Sequence, residues 1–347
     1  MKKTLAALIV TAFAASAANA AVVYDNEGTK VELNGSLRLI MEKADKKVYN
    51  AANQSTKKAN SALRNAGSRF GITVKHNLDN DFYALGRLEF RFDDTTSRDK
   101  FGRLYAKRAY VGLGSKATGD ITFGRQLTIA DDLSQAVDYE YGFIPKSEYI
   151  PTAGTGVVRY DYKGIEGLQL SANYNFGQTN DEKGNPLKPG IKNAYAVGAL
   201  YTVGGLDARL AYGHTNFETG ASYAHRLDGV LASLGYKFGD FTLTGDFGYG
   251  HEKLDDAKVN KFYVSPGFAY QVVPASKVYG NYLYERAKGE SDKVKTHGFL
   301  LGADYKLHKQ VVLFVEGKYV TAKKYTNDAY DGKVKDRAIG VGMRVFF

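Results

Sequence analysis

The last eleven residues, 337–347, constrain the fold most strongly because they alternate between apolar and small or polar side chains. The apolar positions are Ile339, Val341, Met343, Val345 and Phe347. A period of two predicts a β-strand with one apolar face. A strand of this kind that ends on a terminal Phe is typical of a barrel in an outer membrane, where the last strand pairs with the first. We therefore predict that Phe347 faces lipid, that Arg344 faces the lumen, and that Gly340 and Gly342 leave room there for water.

The first twenty residues have the features of a secretory signal peptide. Two lysines follow the initial Met and precede an apolar stretch, and an Ala-Asn-Ala sequence ends at Ala20. We predict cleavage between Ala20 and Ala21, so that residues 1–20 are a cleaved signal peptide and residues 21–347 form one transmembrane β-barrel domain. The alternative is an apolar helix retained in the fold. Cleavage lowers the formal net charge from +10 to +8, because two lysines are lost.

Composition excludes several other classes of protein. After residue 20 no uncharged apolar run approaches the roughly eighteen residues that a membrane-spanning helix needs. Cys is absent, so disulfides and thiolate chemistry make no contribution. The Lys and Arg residues are scattered among acids, apart from one dense basic segment at 46–64. We therefore expect no nucleic-acid partner, and we expect neither a cofactor nor a metal site.

Alternating segments separated by turn residues predict a sixteen-stranded antiparallel barrel. The predicted strands are 30–43, 67–78, 82–92, 103–115, 120–125, 157–163, 168–176, 194–203, 206–214, 227–238, 241–251, 260–272, 277–286, 297–307, 311–323 and 337–347. Short turns such as Asn80-Asp81 supply the positive φ of tight hairpins. Longer polar loops are predicted at 46–66, 93–101, 126–156, 177–192, 215–226, 252–259, 287–296 and 324–336. Residues 22–25 are predicted to extend the last strand across the closure, and the alternative fold is a soluble multi-sheet β protein.

The polar face of each predicted strand then lines the lumen. The inward arginines of the first four strands are Arg38, Arg69, Arg87, Arg91 and Arg108, and the third strand also turns Glu89 inward. The sixth strand turns Arg159 and Asp161 inward, and we assign Arg38, Arg69, Arg87 and Arg108 to the basic wall of the constriction. A barrel of sixteen strands is wide enough to hold water, so these charges remain hydrated. The sequence predicts a polar lumen in which arginines predominate.

The loop at 126–156 is unusual in its length and composition. It spans about thirty residues, whereas hairpin loops have roughly two to five. Its acids include Asp131, Asp132, Asp138 and Glu140, and it also carries several large apolar side chains. We predict that the loop folds into the barrel with its acids facing the four wall arginines. Unit charges about 6–8 Å apart interact by roughly 2–3 kcal/mol at an effective dielectric of about 20, enough to orient dipolar solutes. The alternative is an external lid that packs on itself.

The sequence resembles the general diffusion porins of Gram-negative outer membranes, and within that family it is most similar to the major porins of Haemophilus- and Pasteurella-type bacteria. The resemblance rests on Ala21-Val-Val-Tyr-Asp-Asn-Glu-Gly28, Val31-Glu-Leu-Asn-Gly-Ser36, Ser68-Arg-Phe-Gly-Ile72, Ala109-Tyr-Val-Gly-Leu113, Phe123-Gly-Arg125 and the terminal Phe347. It implies a homotrimer with a third loop bent into the pore, a basic wall at Arg38, Arg69 and Arg108, and an acidic loop motif at Glu140. The motif lacks the family's Pro before Glu140 and has Phe143 where a second Gly is common.

The resemblance implies passive diffusion of ions and small hydrophilic solutes through an outer membrane, whose lipids and lipopolysaccharide are expected partners. Two other functions stay open. A substrate-specific channel usually has more strands and a file of lumenal aromatics, and no such file is evident. A barrel enzyme would need an oriented nucleophile and base, whereas the six His are far apart in sequence and no G-x-S-x-G occurs. For the basic first loop two interpretations stay open. The loop either attracts anions or binds lipopolysaccharide, or it is an ordinary solvated loop.

Overall fold

The structure is a computed structural model that describes residues 20–92, 101–219 and 224–347. The predicted signal peptide, apart from Ala20, lies outside the described residues. So do most of the predicted loop at 93–101 and residues 220–223 of the predicted loop at 215–226. Within the described part of the chain, no helix is long and apolar enough to cross a membrane.

The described residues form nineteen strand segments and two short 3-10 helices. The first ten strands are β1 Ala21–Asn26, β2 Thr29–Asn50, β3 Ser55–Asn65, β4 Arg69–Asn77, β5 Phe82–Phe92, β6 Leu104–Ser115, β7 Gly119–Leu127, β8 Ala153–Ile165, β9 Leu168–Asn175 and β10 Gln178–Asn180. The remaining strands are β11 Pro186–Val203, β12 Leu206–Phe217, β13 His225–Phe238, β14 Phe241–Leu254, β15 Ala257–Val273, β16 Ser276–Lys288, β17 Asp292–His308, β18 Val311–Thr326 and β19 Ala329–Phe346. The 3-10 helices are Ile129–Leu133 and Lys146–Glu148.

The nineteen segments correspond to the sixteen predicted strands, because three of these strands are each divided into two segments. Segments β3 and β4 pair with successive halves of β2, and β9 and β10 pair with successive parts of β11. Likewise, β19 and β1 pair with successive halves of β2. Every neighbouring pair is antiparallel, and the pairing of β19 with β2 closes the sheet. The fold is therefore a closed sixteen-stranded antiparallel β-barrel, and the predicted extension of the last strand by residues 22–25 is confirmed.

The closing strand faces outward as predicted. Ile339, Val341 and Met343 are exposed on the outer surface, and Phe347 exchanges backbone hydrogen bonds with Gly35. A Cβ added at Gly35 would lie 2.4 Å from the Phe347 ring, so the absence of a side chain there gives the terminal ring its place. Similar rows of exposed apolar side chains occur on the other strands, so the outer wall presents an apolar surface.

Four of the eight predicted long loops are wrong because the strands continue through them. The predicted loop at 46–66 is a hairpin in which β2 runs to Asn50 and β3 begins at Ser55. The loops predicted at 252–259, 287–296 and 324–336 are likewise strand with short turns. The ends of these extended hairpins are polar on both faces, so their sequences do not alternate between apolar and polar residues. Backbone hydrogen bonds between the strands form there without an apolar face. By contrast, the short turn at Asn80-Asp81 is confirmed, with φ of +59° and +63°.

Candidate functional site

Residues 128–152, here called the inner segment, connect β7 to β8 and contact inward-facing side chains of the barrel wall. Its two ends are held together: the Thr128 amide donates to the Thr152 carbonyl at 3.0 Å, and the Thr128 hydroxyl donates to the Pro151 carbonyl at 2.6 Å. The same hydroxyl accepts from the Ala130 amide and caps the first 3-10 helix. The inner segment therefore leaves the wall and returns to it at neighbouring positions.

A single buried carboxylate on β18 fixes the middle of the inner segment. Glu316 accepts from the backbone amides of Tyr139, Glu140 and Tyr141 at 2.7, 2.9 and 2.5 Å, and from the Tyr279 hydroxyl at 2.9 Å. Its side chain is fully buried. A buried carboxylate is costly unless its hydrogen bonds are satisfied, and four donors satisfy this one.

A second carboxylate, Asp246 on β14, binds the inner segment earlier in its course. It accepts from the Ser134 hydroxyl at 2.9 Å and from the amides of Gln135 and Ala136 at 2.9 and 3.2 Å. Arg209 of β12 donates to the Asp132 carbonyl at 2.6 Å. Side chains from three regions of the wall thus satisfy backbone groups of the inner segment that would otherwise need water.

Apolar packing also holds the inner segment against the wall. One buried cluster joins Ile129, Ala130, Leu133, Tyr149 and Ile150 of the inner segment to Ala196, Ala211, Leu231, Tyr263 and Leu283 of the wall. A second cluster joins Tyr141 to Ile40, Tyr279, Leu300 and Phe314. These contacts account for the large apolar side chains that made a solvated loop implausible from sequence.

The two glycines of the closing strand accommodate side chains, and the prediction that they leave room for water is wrong. A Cβ at Gly340 would lie 2.4 Å from Ile40 Cδ1 and 2.6 Å from Tyr141 Oη, and one at Gly342 would lie 2.2 Å from the Phe314 ring. Alternation alone shows that a residue faces inward, but it cannot show what fills the space. Here the inner segment and its packing partners fill it.

Two of the four predicted wall arginines, Arg87 and Arg108, lie beside one carboxylate, that of Glu89. Glu89 Oε2 lies 2.9 Å from Arg87 Nη2 and 3.8 Å from Arg108 Nη1, and Glu89 Oε1 lies 2.6 Å from Arg91 Nε. Arg38 donates to the Ser36 hydroxyl at 2.7 Å, and Arg69 donates to the Gly67 carbonyl at 3.1 Å. We call Arg38, Arg69, Arg87, Arg91 and Arg108 the arginine wall. It carries several positive charges around Glu89. Arg91 and Glu89 were predicted to face inward, but Arg91 was not among the four arginines predicted at the constriction.

The predicted acids of the inner segment contact arginines outside this predicted group. Glu140 Oε1 lies 2.7 Å from Arg64 Nη1, and Asp132 Oδ2 lies 2.8 Å from Arg159 Nη2. Asp131 receives a hydrogen bond from Lys146 on its backbone carbonyl. Solvent reaches the Asp138 side chain inside the barrel, and the charges of Glu316 and Arg344 act on its carboxyl group. Sequence reasoning missed Arg64 because it assigned that residue to a loop.

Two acids of the inner segment have raised pKa values. Enclosure by the barrel, together with the neighbouring carboxylates of Glu316 and Glu140, raises the pKa of Asp138 to about 6, against the attraction of Arg344 and Lys146. Burial also raises the pKa of Asp132, although its ion pair with Arg159 opposes the shift. The charge of the inner segment is therefore sensitive to mildly acidic pH at Asp138.

Arg344 on β19 reaches the inner segment from the closing strand, and it lies inside the barrel as predicted. Its guanidinium donates to the Tyr139 carbonyl and stacks 4.7 Å from the centre of the Tyr139 ring. The Tyr139 ring stacks in turn on Phe314, with centroids 4.8 Å apart. The inner segment therefore has contacts with cations on β3, β8, β12 and β19.

Comparisons with known proteins agree with this architecture. Residues 4–325 match the model of a family described as Gram-negative porin. The chain is 31% identical, over 100% of both chains, to a protein of Pasteurella multocida strain Pm70 named major outer membrane protein. It is similar in fold to in-vitro folded OmpT of Vibrio cholerae in its trimer form, with TM-score 0.69 and 18% identity over 92% of this chain and 100% of that chain. An anion-selective porin from Comamonas acidovorans gives TM-score 0.64 and 18% identity over 92% and 100%.

Proposed function

Because the chain belongs to the Gram-negative porin family and forms a diffusion channel in the outer membrane, we propose that it selects ions and small hydrophilic solutes by size and by charge. The selecting constriction lies between the inner segment and the arginine wall. The acids of the inner segment at this constriction are Asp131, Asp132, Asp138 and Glu140.

The observation that supports this proposal best is the anchoring of the inner segment by Glu316. Three consecutive backbone amides bind that one buried carboxylate, so the segment is held at a defined distance from the wall. A segment held in this way narrows the lumen permanently and sets an upper size for solutes. A loosely solvated loop would give only a variable obstruction.

Charge selection follows from the separation of the two signs of charge. The arginine wall carries a cluster of cations around Glu89, and Asp138 lies on the inner segment, exposed to the lumen. Opposed charges in a narrow aqueous space create a field across it, and that field orients dipolar solutes. Apolar solutes would have to displace the oriented water and are disfavoured. This mechanism makes and breaks no covalent bond, and we propose that the protein is a channel without enzymatic activity.

We also propose how the chain assembles and where the mature chain begins. We propose a homotrimer, supported by the fold that this chain shares with OmpT in its trimer form. We propose that the mature chain begins at Ala21, because the strand β1 starts there and the preceding residues have the pattern of a signal peptide. Outer-membrane lipids and lipopolysaccharide would then surround the apolar outer wall.

Single-channel recording and solute uptake together test this proposal. Purified protein in planar bilayers should give stepwise conductance that grows with salt concentration. In liposome-swelling assays, uptake should fall steeply along a series of neutral sugars of increasing size. Uptake independent of sugar size would contradict selection by a constriction, and failure to conduct would contradict an open pore. Analytical ultracentrifugation in detergent tests the trimer, and N-terminal sequencing tests cleavage before Ala21.

A further inference from the structure

Four adjacent strands each place an arginine at about the same level of the barrel. Arg344 of β19 lies directly opposite Arg38 of β2, and Arg69 of β4 lies directly opposite Arg91 of β5. Arg69 pairs with Ser36, which is two residues before Arg38, so Arg38 and Arg69 are diagonal neighbours. These four arginines are here called the arginine row.

The arginine row lies on the inner face of the barrel. Residues an odd number of positions apart along a strand are on opposite faces of the sheet. Exposed residues of the outer wall lie at such positions on all four strands, namely Met343, Leu37, Ile72 and Leu88. The row therefore faces the lumen, where the Tyr139 carbonyl of the inner segment accepts a hydrogen bond from Arg344.

Most of the positive charge of the arginine row has no carboxylate partner. Arg91 Nε lies 2.6 Å from Glu89 Oε1. Within the described part of the chain, the guanidinium groups of Arg344, Arg38 and Arg69 instead donate to neutral oxygens. Like charges directly opposite each other destabilise a sheet, so the row is unfavourable for the protein alone.

The acids of the inner segment do not supply the missing negative charge. Glu140 and Asp132 each form an ion pair with an arginine outside the row. Asp138 acts on Arg344 through space, without a salt bridge between them among the described residues. Because the row lines the lumen, an anion from solution can reach it and compensate its charge.

The unused donors of the arginine row fit an oxyanion. An arginine side chain has five N–H donors. Among the described residues, the side chain of Arg38 donates from Nε to the Ser36 hydroxyl at 2.7 Å, and that of Arg69 donates from Nε to the Gly67 carbonyl at 3.1 Å. The terminal nitrogens of both guanidinium groups therefore remain available. Such planar groups bind the oxygens of carboxylates and of tetrahedral oxyanions in pairs.

We propose that Arg344, Arg38 and Arg69 form a binding subsite in the channel for small oxyanions that carry two negative charges. A singly charged anion leaves most of the row uncompensated, whereas a dianion bridges two neighbouring arginines. Because Arg344 also binds the inner segment, an anion held by the row lies at the proposed constriction and obstructs the passage of other ions. The inference rests on the proposed function for the open channel and adds the class of solute that binds within it.

Single-channel conductance in potassium chloride, with a second anion added at constant ionic strength, tests this proposal. Sulfate and succinate are the doubly charged probes, and acetate is the singly charged control. At least one dianion should reduce the conductance to a saturating level, while acetate should have little effect. The relative strength of sulfate and succinate shows whether the two charges must be on one centre or on two.

Two variants of the arginine row test its contribution. Arg38→Gln and Arg69→Gln should each raise the half-blocking concentration of the dianion about tenfold, because each loses charge-assisted hydrogen bonds. The matched control is Lys30→Gln on the same inner face of β2. It also removes a lumenal cation, but Lys30 already pairs with Glu32 at 2.5 Å, so the half-blocking concentration should stay unchanged.

Three outcomes would overturn the proposal. Neither dianion would reduce the conductance more than acetate, the two arginine variants would keep the half-blocking concentration of the unmodified protein, or Lys30→Gln would raise it as much as they do. Conductance in potassium chloride alone shows that each variant has folded. An unmodified protein that conducts without any effect of dianions contradicts the subsite alone, whereas absent conductance contradicts the proposed pore.

Discussion

Arg64 Nη1 lies 2.7 Å from Glu140 Oε1, and the same guanidinium contacts both carboxylate oxygens of Glu42 at 2.7 and 2.8 Å. Arg64 therefore links β2 and β3 of the wall to the inner segment. One cation compensates two carboxylates whose side chains are only 10–11% exposed. The position of the inner segment depends on an ion network as well as on packing.

Replacing Arg64 with Met should destabilise the barrel. Both Glu42 and Glu140 would then lose the cation that compensates their desolvation, and loss of one partner from a buried ion pair costs about 3 kcal/mol or more. Thermal unfolding monitored by circular dichroism should show a lower midpoint. The control is Arg103→Met at an exposed position. An unchanged midpoint for Arg64→Met would show that the network contributes nothing to stability.

Replacing Glu316 with Gln should loosen the inner segment. A neutral amide keeps the size of the side chain but offers one oxygen, whereas the carboxylate accepts four hydrogen bonds. Bonds to charged acceptors contribute about 2 kcal/mol each, so part of the anchoring is lost. Single-channel recordings should show greater current noise. The matched control, Glu166→Gln in a short turn, should match the unmodified protein, and equal noise in both variants would contradict the anchoring role.

Deleting part of residues 131–150 should increase the permeability to large sugars. The deletion removes much of the material that the inner segment places in the lumen, while the β7 and β8 strands keep their pairing. Liposome swelling should rise most for the largest sugars and least for the smallest. If the deletion does not increase the rates for large sugars above those of the unmodified protein, the result would favour an external lid that packs on itself.

Acidification should reduce cation preference through Asp138. Its pKa is raised to about 6, so its carboxylate is neutralised below that pH in the folded protein. Because the folded state holds the proton more tightly than the unfolded state, this group favours folding at low pH, and that contribution is lost as pH rises through about 6. Asp138→Asn should abolish the component of the reversal potential that titrates near pH 6. Asp240→Asn in a short turn serves as the control, and an equal titration in both variants would exclude Asp138.

Alternation in the sequence was sufficient for the membrane-spanning parts of the strands, since each has one face in contact with lipid. The hairpin arms beyond the membrane were not predicted, because residues such as Lys46, which pairs with Lys58, belong to a ladder that is polar on both faces. The same limitation concealed Arg64. Glu316 and Asp246 lie at inward positions of alternating strands, but only the three-dimensional path of the inner segment shows that they bind its backbone.

Reversal potentials across bilayers with a salt gradient test the central claim, that opposed charges on the inner segment and the arginine wall select ions. Arg38→Ala or Arg108→Ala should shift the potential towards cation preference, and Glu140→Gln should shift it towards anion preference. The matched control is Arg226→Ala, outside the proposed constriction, with no shift expected. Identical reversal potentials for the unmodified protein and all three constriction variants would contradict the account.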